Sequence, residues 1–367
     1  MVEARAAIMP AANAAFAIET IMVDPPRAGE VLVAIKAVGI CHSDLVVVSG
    51  AFGTKFPVVL GHEGAGIVEA VGDGVTKVAV GDKVLLTFNS CGKCVRCQDN
   101  DPSYCLDFSP LNTACERADG SSRLHQHGED LSDNFFGQSS FASKAIATER
   151  NVIKLSPDAD LATLAPLGCG VQTGAGAVIN SLDAKAGQSL VVIGGGSVGL
   201  SALLGGKIAG CSPVIVIEPQ PSRRAIATEL GADHVIDPAT GDLVEAVRAI
   251  IPAGVDLVVD TSGFMPAVSS ATNMLSKKGK IGLVGLPGDF AAVLPVPMIQ
   301  WISIGGTVRG IVEGDSDPDV FLPQLIAHHA AGRLPIDKFI TTYPFDQINA
   351  AIEDAHSGKS IKVVLTF

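Results

Sequence analysis

The sequence predicts an α/β protein with two domains, one built on a doubly wound parallel sheet and the other on an irregular β-barrel. Three observations lead to this prediction. The 367 residues exceed what one ordinary core accommodates, and two domains of roughly 150–200 residues are expected. From about Val171 onward, short apolar runs alternate with helical patterns, which indicates parallel strands joined by right-handed crossovers. Up to about Ala147, by contrast, short strands and turns follow one another.

Composition and charge narrow the possible partners and compartment. The formal net charge is −12 and no basic stretch offsets it, which argues against nucleic acid or an anionic membrane surface as partner. No apolar run is long enough to span a bilayer, and the N-terminus, with Glu3 and Arg5, does not resemble a secretory leader. Eight cysteines in such a chain indicate reduced thiols that bind metal or pack in the core, so we expect a cytoplasmic protein.

Apolar patterns predict the elements of the first part of the chain. Strands are predicted over Val31–Val38, Gly66–Val71 and Lys83–Leu86, and a helix over Leu161–Leu164. Leu111–Gly137 is polar and predicts a long surface loop that could line a substrate entrance. Within it, His125 and His127 are interpreted as solvated side chains rather than as metal ligands.

The second part predicts a six-stranded parallel sheet followed by a mixed tail. The predicted strands are Leu190–Ile193, Val214–Ile217, His234–Ile236, Asp256–Val259, Lys280–Val284 and Ile302–Val308. The predicted helices between them include Ser222–Leu230, Asp242–Ile251 and Pro266–Leu275. The tail is predicted to hold helices near Val320–Ala330 and Phe345–His356 and a final strand at Ile361–Phe367.

A glycine-rich turn joins the first of these strands to a helix. Gly194, Gly196 and Gly199 have G-x-G-x-x-G spacing, and Glu218 ends the next strand, 19 residues after Gly199. Such glycines allow a tight turn, close approach of a pyrophosphate, and close packing of helix on strand. The helix N-terminus favours phosphate, and the acid can accept hydrogen bonds from ribose hydroxyls. The pattern predicts a Rossmann dinucleotide site formed by Gly194, Gly196, Ser197, Val198, Gly199 and Glu218.

Four clustered cysteines indicate a metal site. Two Cys-x-x-Cys steps and a fourth thiol eight residues further on supply four ligands, namely Cys91, Cys94, Cys97 and Cys105. Four thiolates with no open position are typical of structural zinc, which contributes on the order of 10 kcal/mol of folding free energy. Iron–sulfur ligation, disulfides and unligated thiols are the alternatives.

Three further segments carry potential ligands. They are the run Cys41-His42-Ser43-Asp44, the turn Gly61-His62-Glu63-Gly64 and the run Gly168-Cys169-Gly170. Each alone is weak evidence, because a lone cysteine is often a small core residue and a lone histidine is often structural. The spacing therefore leaves a three-part metal site as one alternative among several.

Several motifs together resemble the zinc-containing alcohol dehydrogenases of the medium-chain dehydrogenase/reductase family, most closely the aryl (benzyl) alcohol dehydrogenases. The motifs are GICHSD, GHEGAG, CGKCVRC, FFGQSSFA, GCGVQTG, VIGGGSVGL and GKSIKVVLTF. The resemblance implies a GroES-like catalytic domain over residues 1–170 and 311–367 and an NAD-binding Rossmann domain over residues 171–310. It also implies hydride transfer between a primary alcohol, of an aryl or allylic type such as benzyl alcohol, and NAD, giving the aldehyde.

The same resemblance implies roles for the residues of the three segments. Cys41, His62 and Cys169 would bind one catalytic zinc, in addition to the structural zinc, with the fourth position left for water or alcohol oxygen. Asp44 would hydrogen-bond the other ring nitrogen of His62, and Glu63 would lie behind the ion as a carboxylate outside the ligand set. Ser43 would take the alcohol proton. Val46 stands where liver-type enzymes have a histidine, so the outer end of the proton relay is undefined.

Further residues are implied to hold the cofactor. Glu218 would bind the ribose and repel a 2′-phosphate, which favours NAD over NADP. The other implied contacts are His42 and Lys362 with pyrophosphate, Arg223 on the adenine side, Thr173 behind the nicotinamide ring, and Val284, Gly285 and Leu286 with its amide. Lys362 replaces an arginine and keeps the charge without the fork geometry.

The resemblance also implies partners, and two alternative functions stay open. Gln300–Arg309 resembles the strand through which the family dimerises, so a homodimer or homotetramer acting on a small-molecule alcohol or aldehyde is expected. One alternative is a zinc-free medium-chain enone or quinone reductase. The other is a non-enzymatic NAD(H)-binding structural protein.

Overall fold

The chain forms two compact units. The structure, a computed structural model, describes residues 1–50 and 53–367. Unit 1 comprises Met1–Cys169, Asp317–Ile326 and Phe339–Phe367, and unit 2 comprises Gly170–Ser316 and Ala327–Lys338. Residues 311–316 and 327–338 therefore pack with unit 2, whereas the sequence-based boundary assigns them to the catalytic domain. Residues 311–316 are held in unit 2 by side-chain hydrogen bonds, which Gln172 donates to Glu313 and Ser316 donates to Gln172.

The elements of the described residues are as follows. The strands are β1 (Val2–Met9), β2 (Ala17–Val23), β3 (Glu30–Gly39), β4 (Val58–Val59), β5 (Glu63–Val71), β6 (Lys83–Leu86), β7 (Leu124–Gln126), β8 (Glu129–Asp130), β9 (Lys144–Thr148), β10 (Val152–Lys154), β11 (Leu190–Ile193), β12 (Val214–Ile217), β13 (His234–Ile236), β14 (Val255–Asp260), β15 (Leu275–Leu283), β16 (Thr307–Gly310), β17 (Ile340–Pro344) and β18 (Lys362–Thr366). The helices are α1 (His42–Val48), α2 (Val95–Gln98), α3 (Phe108–Asn112), α4 (Leu161–Leu164), α5 (Gly170–Gly176), α6 (Ser197–Ala209), α7 (Pro221–Glu229), α8 (Leu243–Ile250), α9 (Met265–Met274), α10 (Met298–Ile304), α11 (Pro318–Ala330) and α12 (Ile348–His356).

Unit 1 contains the irregular β domain. One sheet has the order β4-β1-β2-β7-β8, and the other has the order β10-β6-β5-β3-β18-β17 with β9 paired to β3. Strand β3 is central, because it pairs antiparallel with β5, β9 and β18 along different parts of its length. Apolar side chains of these strands fill the core, among them Val31, Val33, Ile35, Val68, Val84 and Ile146.

The prediction of a surface loop over Leu111–Gly137 is wrong. The segment contains β7, β8 and part of α3, and many of its polar residues are buried. Arg117 donates two hydrogen bonds to the Glu30 carboxylate, at 2.9 and 3.0 Å, and Arg123 donates one to the carbonyl of Ile146 at 2.9 Å. The polar composition predicted exposure, but paired charges satisfy one another inside this unit. His125 also has partners, because its ring nitrogens lie 2.7 and 3.1 Å from carboxylate oxygens of Asp130 and Asp24.

Unit 2 has the predicted doubly wound fold. Its sheet has the order β13-β12-β11-β14-β15-β16, and all neighbouring strands run parallel. This order reverses beside β11, the arrangement at which open α/β sheets bind ligands beyond the strand carboxyl ends. Buried side chains of the strands and helices form its core, including Val191, Ile215, Val258, Ala271, Met274 and Ile281.

One predicted strand of this sheet is misplaced. Residues Met298–Ile304 form α10, and the sixth strand is limited to Thr307–Gly310. Pro297 precedes the helix, and Gly305 ends it with a left-handed backbone conformation at φ 63°. The apolar run therefore contains a helix before its strand, which apolar composition alone does not distinguish.

Within residues 1–50 and 53–367, no single helix is long and apolar enough to cross a membrane. One bent pair, Leu161–Gly168 with Gly170–Ser181, meets the length and composition limits when its two helices are taken together.

Candidate active site

Three elements of unit 1 bring the predicted catalytic ligands together. Cys41 immediately precedes α1, His62 immediately precedes β5, and Cys169 follows the short turn Ala165–Gly168. Although 128 positions separate the two cysteines, their Sγ atoms lie 4.0 Å apart. The ligand atoms of all three side chains lie within 4.8 Å of one another. The structure therefore gathers the three segments that spacing alone left ambiguous.

The donor set fits a zinc ion. Two thiolates bound at about 2.3 Å to one tetrahedral zinc are about 3.8 Å apart, close to the observed separation, whereas a disulfide bond is about 2.05 Å long. His62 is fully buried, and its Nε2 atom has no hydrogen-bond partner among the described residues. A buried ring nitrogen without a partner is costly unless a ligand engages it. Cys41, His62 and Cys169 are thus the residues that would hold the ion.

Asp44 orients two of the ligands. Its Oδ1 atom lies 3.1 Å from His62 Nδ1 and also accepts a hydrogen bond from the Gly61 N–H at 3.1 Å. Its Oδ2 atom accepts a hydrogen bond from the Cys41 N–H at 3.0 Å. The carboxylate therefore places the imidazole proton on Nδ1 and leaves the Nε2 lone pair for a metal.

The electrostatics of the site stabilise a thiolate at Cys41 and a positive charge beside it. A hydrogen bond from the Cys169 thiol, aided by the charges of His62 and Lys362, lowers the pKa of Cys41 well below its ordinary value, although burial opposes the shift. Burial also acts to lower the pKa of His62, but Asp44 and Cys41 outweigh it, and the pKa is raised. The cluster thus attracts positive charge, which a divalent ion supplies.

A buried ion pair lies next to the ligands. Glu63 Oε2 and Lys362 Nζ are 2.5 Å apart, and Lys362 also donates a hydrogen bond to the Ile40 carbonyl at 2.9 Å. Burial raises the pKa of Glu63 to about 7, with Lys362 opposing the shift. A Cβ atom at Gly39 would lie 1.9 Å from Glu63 Oε2, so a larger residue there would displace the Glu63 carboxylate. The buried ammonium of Lys362, which was predicted to contact pyrophosphate, is engaged in this structure by a carboxylate and a carbonyl of unit 1.

The neighbouring residues of the Cys41 segment differ in exposure. Ser43 Oγ lies 4.0 Å from Cys41 Sγ, close to the ligand cluster. His42 begins α1 and is exposed. Val46 lies one helical turn after Ser43 and offers no group for proton transfer.

Two aromatic side chains that the sequence reasoning did not single out pack against the His62 ring. Phe136 stacks on it with ring centroids 4.4 Å apart and an interplanar angle of 24°, and Phe135 meets it edge-on at 5.2 Å. Phe136 has φ 50°, a strained value for a bulky residue. The signal was present in the FFGQSSFA segment, which contributed only to the family resemblance.

The four clustered cysteines also converge. Their ligand atoms lie within 4.8 Å of one another, with Cys94 Sγ 3.6 Å from Cys97 Sγ and 3.9 Å from Cys105 Sγ. Backbone N–H groups of Cys97 and Leu106 lower the pKa of Cys94 to about 6, whereas burial raises the pKa of Cys105 to about 12. None of the cysteines in the described residues forms a disulfide. The set offers four sulfur ligands and no open position, which fits a structural zinc.

The glycine-rich turn of unit 2 has the geometry of a dinucleotide site. Gly194 has φ 98°, and a Cβ atom at Gly199 would lie 1.8 Å from the Gly194 carbonyl oxygen. A Cβ atom at Gly196 would meet nothing within 4 Å, so the turn is open at that point. Glu218 lies beside it, because its carboxylate accepts a hydrogen bond from the Gly195 N–H at 2.6 Å.

The remaining predicted cofactor residues of unit 2 lie beyond the carboxyl ends of strands or on adjoining helices. Ser197 Oγ and Arg223 Nε are buried atoms without a hydrogen-bond partner in the part of the chain that the structure describes. Val284, Gly285 and Leu286 follow β15, and the N–H groups of the first two donate hydrogen bonds to the Asp260 carbonyl. Thr173, on α5, donates a long hydrogen bond of 3.4 Å to Glu313.

Comparison with known proteins identifies the class. Residues 27–157 match the family model "Alcohol dehydrogenase GroES-like domain", and residues 197–326 match "Zinc-binding dehydrogenase". The chain is 47% identical to geraniol dehydrogenase of Castellaniella defragrans, with 100% of this chain and 98% of the relative covered.

Solved structures agree with the sequence comparison. An alcohol dehydrogenase zinc-binding domain protein from Burkholderia ambifaria has a TM-score of 0.98 and 44% identity, covering 100% of this chain and 99% of its own. Benzyl alcohol dehydrogenase from Acinetobacter calcoaceticus has a TM-score of 0.97 and 37% identity, with both chains covered to 100%.

The chain belongs to the zinc-binding alcohol dehydrogenases of the medium-chain dehydrogenase/reductase family. It is a zinc-dependent oxidoreductase with a four-cysteine site for structural zinc and a Cys/His site for catalytic zinc. The zinc-free reductase and the non-enzymatic binding protein are not favoured, because both ligand sets are complete and both domain models match.

Proposed function

We propose that this enzyme oxidises primary alcohols whose reacting carbon is attached to an aromatic ring or a double bond, using NAD and producing the aldehyde. The observation that carries the proposal is the convergence of Cys41, His62 and Cys169 beside two phenylalanine rings. Relatives named for geraniol, an allylic alcohol, and for benzyl alcohol, an aryl alcohol, support the substrate class.

The chain's own residues contribute binding, orientation and proton transfer. When bound, zinc supplies a Lewis acid that lowers the pKa of an alcohol hydroxyl, and NAD accepts the hydride. Cys41, His62 and Cys169 hold the ion, and Asp44 fixes the imidazole of His62 in the ligating tautomer. Ser43, close to Cys41, takes the hydroxyl proton. From there the proton passes to solvent without help from position 46, because the side chain of Val46 cannot carry a proton.

The buried pair of Glu63 and Lys362 adjusts the charge near the ion. Two thiolates already balance a divalent cation, and Glu63 alone would add a further negative charge in a dry environment. Lys362 neutralises that charge at 2.5 Å. We assign this pair a supporting role beside the ligands rather than a role in cofactor binding.

We propose NAD rather than NADP as the cofactor. Glu218 directly follows β12, is buried, and has its carboxylate beside the glycine turn, where a 2′-phosphate would face a like charge. The other cofactor contacts we propose are His42, Thr173, Gly194, Gly196, Ser197, Val198, Gly199, Arg223, Val284, Gly285 and Leu286. Replacing Glu218 by Ser is expected to raise the KM for NAD and to improve the use of NADP. Unchanged KM values for both cofactors would contradict the assignment.

We propose that the enzyme is a homo-oligomer formed through unit 2. Strand β16 lies at a sheet edge. Helix α10 and the residues just before it expose apolar side chains, with exposed fractions of 74–79% for Val293, Met298, Ile299 and Ile302. Exposed apolar patches beside an open edge favour association with a second copy. Ile299→Asp should lower the mass measured by sedimentation equilibrium; an unchanged mass would contradict this surface.

The thiol ligands further support a reducing compartment such as the cytoplasm.

A substrate panel tests the proposed activity. Benzyl, cinnamyl, terpenoid and aliphatic alcohols are supplied with NAD, and NADH absorbance is followed. We expect kcat/KM to be highest for the aryl and allylic alcohols, as for the relatives named for benzyl alcohol and geraniol. Equal or higher kcat/KM for saturated aliphatic alcohols would contradict the substrate class. Absence of NADH formation with every alcohol in zinc-loaded enzyme would contradict the proposed function.

A further inference from the structure

Gln138 occupies an unusual position behind the catalytic ligands. It follows the turn Phe135–Gly137 and is only 2% exposed. Its Nε2 group donates hydrogen bonds to the carbonyls of His62, at 2.9 Å, and Thr87, at 3.2 Å. Its Oε1 atom accepts hydrogen bonds from Gly64 N–H at 3.0 Å and Ser140 O–H at 2.9 Å. A primary amide has two N–H groups and two lone pairs, so every hydrogen-bonding position of Gln138 is used.

The hydrogen bonds continue from Gln138 to the segment of a second ligand. Thr87 Oγ1 donates a hydrogen bond to the carbonyl of Gly168 at 2.7 Å, and Gly168 directly precedes Cys169. A Cβ atom at Gly168 would lie 2.2 Å from the Leu86 carbonyl oxygen, so this approach is close enough to require glycine. The His62 carbonyl, Gln138, Thr87 and the Gly168 carbonyl therefore form a continuous buried connection between two ligand-bearing segments.

The backbone around Gln138 is held on the His62 side as well. Ser140 N–H and Phe141 N–H donate hydrogen bonds to the carbonyls of Gly61 and Leu60, at 2.9 and 2.8 Å. Ser139 has φ 51° and donates its hydroxyl to the Val59 carbonyl at 2.7 Å. Non-glycine residues keep such conformations only where the surroundings strongly determine them. The backbone that carries Gln138 is therefore fixed against the residues that directly precede His62.

We propose that Gln138 is a positioning residue of the catalytic metal centre, whose amide sets the separation between His62 and Cys169. The inference rests on the proposed role of both residues as ligands. Only an amide can serve here among side chains of this shape, because two carbonyls need donors while an N–H and an O–H need acceptors. A glutamate at this position has acceptors on both sides, so the carbonyls of His62 and Thr87 would face a carboxylate. The His62 carbonyl would lose the Gln138 donor, and the Thr87 carbonyl would keep only the hydrogen bond from Asn151 Nδ2 at 3.2 Å.

The test compares Gln138→Glu with Gln324→Glu, the same change at an exposed position of α11 in the same unit. Zinc content is measured per chain, the affinity of the catalytic site is measured by chelator competition, and the cobalt-substituted enzyme gives a visible spectrum. For Gln138→Glu we expect an affinity about 10- to 100-fold weaker, the usual cost of altering residues behind a metal ligand. We also expect shifted cobalt bands, and metal retained at the four-cysteine site. The control should match the parent enzyme.

A second variant separates positioning from general loss of stability. Thr87→Val keeps the side-chain shape but removes the donor to Gly168, so it should also weaken the catalytic site. Combined with Gln138→Glu, its effect should be less than additive, because both changes interrupt one connection. Parent-like metal affinity and cobalt bands in Gln138→Glu would overturn the inference, whether or not its melting temperature falls. If the parent enzyme itself holds no metal at Cys41, His62 and Cys169, the proposed function fails together with this inference.

Discussion

The two metal sites of unit 1 are built in opposite ways. The four-cysteine site takes all its ligands from Cys91 to Cys105, a stretch of 15 positions, and backbone N–H groups of the same stretch donate hydrogen bonds to its sulfurs. The catalytic site takes one ligand from each of three distant elements and surrounds them with buried polar groups. Asp44, Glu63, Gln138 and Lys362 are each at most 2% exposed. A local site can be recognised from spacing, whereas a dispersed site depends on the fold and on residues that never touch the ion.

The largest expected effect comes from removing a catalytic ligand. In His62→Ala the buried imidazole is lost, and we expect zinc to fall from two to about one per chain. The chemistry that the metal supplies disappears with it, so kcat should fall by about 10³-fold or more. Elemental analysis and NADH absorbance check the result. Retention of both zinc ions with near-normal kcat would remove the distinction between the two sites.

Removing a ligand from the four-cysteine site should instead affect stability. In Cys97→Ser we expect one zinc to be lost and the melting temperature to fall by about 10 °C, because metal binding contributes directly to folding of this lobe. The fraction that remains folded should keep much of its kcat at low temperature. Calorimetry with elemental analysis tests this, and an unchanged zinc content and melting temperature would show that the site is misinterpreted.

A smaller effect is expected when a group behind a catalytic ligand is changed. In Asp44→Asn, whichever way the amide faces, it cannot accept hydrogen bonds at every position that the carboxylate now serves. Catalytic metal affinity or kcat/KM should fall by about 10- to 100-fold. Asp73→Asn, at an exposed position, is the control and should behave as the parent. Equal results for the two variants would mean that the dispersed site needs no such support.

The smallest effect is expected at the cysteines outside both sites. Burial raises the pKa of Cys115 to about 12 and of Cys211 to about 11, with nearby carboxylates adding to the shift. Because the thiolate is the reactive form, both side chains should be alkylated slowly by iodoacetamide at pH 8 in the native enzyme and readily after unfolding. Peptide mass spectrometry measures the difference. Rapid alkylation of Cys115 or Cys211 in the native enzyme would contradict the burial of these thiols.

Regular parts of the fold were predictable because local patterns determine them. Leu190–Ile193, Val214–Ile217 and His234–Ile236 form strands with the bounds that their apolar runs indicate. The structure of the run Gln300–Arg309 was not predictable in this way, because its first part belongs to a helix bounded by Pro297 and Gly305. Leu111–Gly137 was mispredicted for a different reason. Its arginines pair with Glu30, far away in sequence, so burial of the charge is visible only in three dimensions.

The same division applies to the candidate site. Cys91 to Cys105 was recognisable from spacing, and Cys41, His62 and Cys169 from resemblance rather than from any local pattern. The stacking of Phe136 on His62 and the four hydrogen bonds of Gln138 depend on left-handed residues at 136 and 139, which no sequence pattern indicates. The ion pair of Lys362 was not predictable either, because its partner Glu63 is 299 positions away.

The central claim is that two thiolates and one imidazole from separate elements hold a second zinc ion. X-ray absorption at the zinc edge, combined with anomalous diffraction from crystals of the purified enzyme, tests it most directly. We expect two zinc ions per chain, one bound by four sulfurs and the other by Cys41 Sγ, Cys169 Sγ and His62 Nε2. An active enzyme with zinc only at the four-cysteine site, or with a second zinc on other residues, would contradict the account.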